Sequence, residues 1–212
     1  MKHFTIAFTF LLGCAQSDAA TFDWARADSL ARARQDSVNR AQLSYIVDSI
    51  LPVEEQLRRF RVGLTEVPAQ FAGGASTPNE LAQAFIHSLE VSDTAALVRM
   101  TISKAEFAYL VYPESPNSRK PYQQSPDLVW LQHSAASGTG LTRLLNRLSG
   151  SGIRFRSLTC DAEPIHDGSN RIWRNCAVRF APRSGDPVSL QLFAGIIERE
   201  GRFKILSYAN AF

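Results

Sequence analysis

Apolar side chains return at helical spacing as far as Leu148, and at every second position from Ile153 onward. The switch predicts helices first and strands last. Leu43, Ile46, Val47 and Ile50 form one apolar stripe, and Pro52 then fits a helix start continued by Val53, Leu57, Phe60 and Leu64. This element should dock on the main domain or, failing that, on a partner chain. Phe71 to Ala75 reads as a flexible joint. Thr77-Pro78-Asn79-Glu80 is a capping box opening a helix to about Glu90, with Leu81, Phe85 or Ala84, and Leu89 on its buried face. Ser92 or Asp93 caps a second helix carrying Leu97, Val98 and Met100. Ser103 to Glu106 is another capping box, followed by Phe107, Leu110 and Val111. The proline-dense stretch Tyr112 to Pro121 reads as a loop. Ser125-Pro126 starts a helix bearing Leu128, Val129, Leu131 and His133, which Gly138 and Gly140 should weaken or break. Leu141, Leu144, Leu145 and Leu148 resume the stripe, and Gly150 and Gly152 close it.

Four stretches then read as strands: Ile153–Cys160, Arg171–Ala181, Pro187–Arg199 and Arg202–Asn210. His166 to Asn170 is a turn between the first two. Glu200-Gly201 turns the last pair and sets Ile196 opposite Ile205. Val188, Leu190, Leu192, Ala194 and Ile196 share one face, while Phe193 and Ile197 add apolar bulk to the other. The expected class is α+β, with N-terminal helices packed on one face of a curved antiparallel sheet.

Before these elements, Asp23 to Gln42 is polar almost all round. Asp28 with Arg32, and Asp36 with Arg40, stand at favourable i,i+4 spacing. The segment is either a solvated helical tether or a disordered linker. The net charge of +3 is small, and its arginines interleave with acids, so no basic run marks a nucleic-acid groove.

The start of the chain carries an address. Met1-Lys2-His3 is basic, and Phe4 to Leu12 is apolar but too short to span a membrane. Leu11-Leu12-Gly13-Cys14 resembles the bacterial lipobox. That resemblance implies cleavage before Cys14, acylation of that residue, and anchoring of the new N-terminus to a membrane. Ala15, rather than Asp, follows the cysteine and favours outer-membrane sorting. The expected location is the cell envelope, facing the periplasm or on the outer membrane. The expected segments are a signal peptide over 1–13, a lipidated N-terminus with polar spacer over 14–42, an amphipathic helical extension over 43–75, and the α+β domain over 76–212.

An exported chain lives where disulfides persist. Cys160 and Cys176 are equidistant from Gly168, so a hairpin centred there sets them directly opposite, with Leu158 opposite Val178. A bridge is expected, contributing roughly 3 kcal/mol by the chain-entropy model. Two cysteines so far apart, with no CxxC, make a poor metal site. No cofactor is implied.

The helix from Pro78 to Glu90, the Ser92 to Leu97 segment and the closing hairpin Leu192 to Tyr208 resemble the nuclear-transport-factor-2-like, or SnoaL-like, superfamily. The resemblance covers Thr77 to Phe212 and implies helices packed into a bent sheet that often encloses an apolar pocket. The acid and histidine pairs of that superfamily's enzymes have no counterpart here, so no catalytic residue is carried over.

Tyr109, Tyr112, Trp130 and His133 lie where such a pocket would open. Glu106 has the simpler reading of a capping residue. There is no G-x-S-x-G, H-E-x-x-H or P-loop. The favoured reading is a non-enzymatic envelope lipoprotein that binds a small apolar ligand or a partner protein. The alternative is a SnoaL-like isomerase, hydratase or hydrolase.

Overall fold

Capping chemistry fixes where the helices begin. The computed structural model describes residues 24–41 and 51–210. The lipobox with Cys14 and the stripe Leu43 to Ile50 lie outside the described residues. The chain divides into two units, Met1–Ile50 and Leu51–Phe212.

In the first unit, α1 (Trp24–Arg40) is helical, and Arg32 donates to Asp28 at 2.6 Å, as its spacing predicts. Leu30 and Val38 are exposed. Such a helix is held by local pairs, not by a buried stripe.

The second unit begins at Leu51, so residues 51–75 share it with the α+β domain. Its α2 (Val53–Phe60) buries Leu57 and Phe60 in a cluster with Phe107, Tyr112 and Ile197. The part of the amphipathic stripe that is described, from Val53 to Phe60, thus docks on the domain. In α3 (Pro78–Glu90) the Thr77 hydroxyl accepts from the Glu80 amide at 3.1 Å. The Glu80 carboxylate accepts from the Ser76 amide, one residue before the expected partner. Asp93, not Ser92, caps α4 (Thr94–Met100). Both halves of the Ser103 capping box form at α5 (Lys104–Glu106). The chain continues as a π-helical turn over Phe107–Val111 and short 3-10 turns at Tyr112–Glu114 and Pro116–Ser118.

The break expected near Gly138 and Gly140 is absent: α6 runs unbroken from Pro126 to Leu148. Gly140 serves close approach instead. A Cβ there would lie 1.7 Å from the Tyr208 carbonyl oxygen, so only glycine lets the C-terminal segment cross the helix. Beyond the helix, the Glu90 carboxylate accepts from the amides of Gly152 at 2.9 Å and Ile153 at 3.0 Å. That clamp ties the end of α3 to the start of the strands.

The architecture is α+β, helices first and antiparallel strands last, and the strands do not close into a barrel. One sheet has the order β1 (Arg154–Thr159), β4 (Ala177–Ala181), β5 (Val188–Leu190). The other has the order β2 (Ile165–Asp167), β3 (Asn170–Trp173), β6 (Ile196–Arg199), β7 (Arg202–Ile205). Two expected strands are therefore each divided between the sheets. Arg171–Ala181 breaks where Asn175 takes φ +50°, its side-chain amide held by Asp161. Pro187–Arg199 breaks before Gly195, where a Cβ would lie 2.5 Å from the Trp173 carbonyl oxygen. The break also leaves Ala194 exposed, so the long alternating face is not continuous. The expected turn His166–Asn170 narrows to Gly168-Ser169, because Asp167 pairs with Asn170.

The register around the cysteines is the expected one, with Leu158 opposite Val178 and Thr159 opposite Ala177. Cys160 and Cys176 are bridged, with Cα atoms 3.9 Å apart. Ile196 pairs with Ile205. The central strand β6 serves two cores. Ile196 packs with Phe85, Leu89 and Val178, and Ile197 packs with Phe60, Phe107 and Ile172. Each side chain so buried is worth roughly 1.5–3 kcal/mol.

Candidate functional site

Between the helices and β7 lies a partly open cavity of about 680 Å³ with mainly apolar walls. This falls within the range of small-molecule sites, ~300–1,000 Å³. One wall is a face of α6: Trp130, His133, Ser134, Ser137, Gly138 and Leu141 recur at helical spacing. The side chains in the middle of that face are small, and a Cβ on Gly138 would meet nothing within 4 Å. The opposite wall comes from Val98 to Lys104 and the segment carrying Glu66, Ala72 and Gly73. Glu106, Lys204 and Tyr208 complete the lining.

Charge is concentrated in one buried pair. The Lys204 ammonium donates to both Glu106 oxygens, at 3.0 and 2.8 Å. Their side chains are only 3% and 2% exposed, so both groups have given up bulk hydration. Glu106 also accepts from the amides of Ala72 and Ser103, each at 2.7 Å. Each carboxylate oxygen therefore receives two hydrogen bonds. Such a group is a poor general base, because its lone pairs are already engaged. The capping role expected for Glu106 holds, and a second role is added to it. Ion pairs buried this deeply are costly to break from one side.

Of the residues expected at a pocket mouth, Trp130 and His133 line the cavity. Their rings stack at 5.5 Å, and Trp130 packs on Phe107 at 5.2 Å. Burial holds the His133 pKa below its ordinary value, so the ring is neutral at physiological pH. A neutral imidazole offers one donor and one acceptor.

Tyr109 and Tyr112 do not line it. Tyr109 lies beneath the Arg61 guanidinium, 4.2 Å from the ring centroid, and Arg61 also donates to the Ala108 carbonyl at 2.9 Å. Tyr112 is fully buried, and its hydroxyl donates to the Gln124 carbonyl at 2.5 Å. The proline-dense segment turns inward as 3-10 helix, which carries Tyr112 into the core and not toward solvent. Tyr208, not foreseen as lining, donates its hydroxyl to the Leu97 carbonyl at 2.8 Å. Burial pushes its pKa far above the ordinary tyrosine value, so it is no acid at working pH.

Lys204 carries no local motif in the sequence. The signal was present in the register: pairing Ile196 with Ile205 sets Lys204 opposite the core residue Ile197. Ser134, Ser137 and Gly138 are a second signal, small residues at helical spacing between Trp130 and Leu141.

Among the described residues no cluster of His, Cys, Asp and Glu could hold a metal ion, and no helix is long and apolar enough to cross a membrane. Comparison with known proteins finds no matching family model, no matching curated protein and no matching solved structure.

Proposed function

We propose that this protein is a lipid-anchored module of the cell envelope whose cavity binds a small, largely apolar ligand without transforming it. The observation that carries the reading is the cavity beside the middle of α6, walled mainly by apolar surface. The saturated Glu106 carboxylate supports binding over catalysis, because the one buried carboxylate of the lining is fully engaged and the other, Glu66, stands on an exposed residue. The anchor rests on the lipobox-like Leu11 to Cys14, and the Cys160–Cys176 bridge suits an oxidising compartment.

Gly138 supplies the test. It lines the cavity, and a Cβ there would meet nothing within 4 Å, so Gly138→Leu adds bulk to the site from an unobstructed position. Ethylnaphthalene, a compact apolar probe, should bind the natural protein measurably by calorimetry. The variant should fold, yet lose at least tenfold in affinity. Equal binding by both proteins would place the ligand elsewhere.

A further inference from the structure

We infer that the cavity selects uncharged apolar molecules carrying one hydrogen-bond acceptor, such as a ketone, ester or amide oxygen, which docks on Lys204. This rests on the ligand-binding reading above and specifies its ligand class. An ammonium has three donor hydrogens. Glu106 is the one protein acceptor that Lys204 has among the described residues, and its two oxygens can engage at most two of those hydrogens. The third is left for an acceptor in the cavity that Lys204 lines.

The head group should be neutral, because the site is already balanced. Lys204 and Glu106 together carry no net charge, and both are buried. A ligand carboxylate placed there would bring an uncompensated charge out of water beside the Glu106 carboxylate. The remaining charged lining groups are Arg99, Lys104 and Glu66, all on exposed residues. Water and salt screen them, so they offer little to an anion held deeper. Lys104 is further engaged over the Phe60 ring, 4.6 Å from its centroid. His133, neutral in its stack with Trp130, adds a dipole and no charge.

Three probes of nearly one shape separate the possibilities: acetylnaphthalene, ethylnaphthalene and naphthoate, titrated calorimetrically into the full chain at neutral pH. Acetylnaphthalene should bind about tenfold or more tighter than ethylnaphthalene, the worth of one hydrogen bond from a charged donor. Naphthoate should bind weakest. The paired substitution Lys204→Met with Glu106→Gln removes both charges together and avoids stranding either. In that variant the preference for the ketone over ethylnaphthalene should vanish. Tighter binding of naphthoate than of the ketone would overturn the inference and leave the cavity reading standing. So would a ketone preference that survives in the paired variant. Failure of the natural protein to bind any probe would overturn both.

Discussion

Helix α6 meets the rest of the domain in two ways. Toward its C-terminus, Leu144 and Leu148 are buried among Leu81, Phe85 and Phe180, and the space is filled. Through its middle, Ser134, Ser137 and Gly138 face a cavity. The backbone is continuous through both regions, so the cavity comes from side-chain size and not from a gap in the fold. The filled half is apolar and needs no charge. The open half has at its edge a buried ion pair that a purely structural core would do better without, since well-packed apolar residues often match or exceed such a pair in stability. An ammonium placed at the edge of a cavity accords with the proposed binding of a small apolar ligand.

The contrast can be broken from either side. The largest effect is expected from Lys204→Met alone, which leaves the Glu106 carboxylate buried without its counter-ion. Denaturant unfolding should show a loss of about 3–5 kcal/mol. In the filled half, Leu144→Ala removes a fully buried side chain and should cost about 2–5 kcal/mol by the same measurement. Ethylnaphthalene affinity should change little if the two regions are independent.

The smallest effect is electrostatic and lies away from both. Glu198 accepts a short hydrogen bond from Arg171 and another from the Gly201 amide at 2.6 Å. The Arg171 guanidinium, first, holds its carboxyl below the usual range, against a burial effect that pushes the other way. A lowered folded pKa means that its stabilisation is complete above the unfolded carboxyl value, about 4.3. It is then lost as pH falls through the lower folded value. Arg171 is half exposed, so solvent screening keeps the effect small. Urea midpoints between about pH 6 and pH 3 should fall less steeply in Glu198→Gln than in the natural protein.

Much of the frame is legible in the sequence, because it is written in local chemistry. Thr77, Asp93, Ser103 and Ser125 each accept the amide hydrogen bond of a helix start. Alternation and the equal spacing of the cysteines from Gly168 give the register beside the disulfide. The sheet breaks are less legible. Asn175 and Gly195 interrupt strands for reasons that lie across the sheet, in Asp161 and the Trp173 carbonyl. Gly140 resembles a helix breaker until Tyr208 is seen crossing it. The site is harder still. Glu106 and Lys204 are far apart in the chain, and each has an innocent local reading, one as a cap and one as a strand's polar position. Only the tertiary fold brings them together and shows that the volume beside them is unfilled.

The most direct test of the account is a thermal one. Ligand that binds the folded state alone stabilises it by about 2.7 kcal/mol at a hundred times its Kd. Ethylnaphthalene near that excess should raise the Tm of the natural protein by several degrees and leave Gly138→Leu unmoved. An equal rise in both proteins would contradict the cavity beside α6 as the binding site.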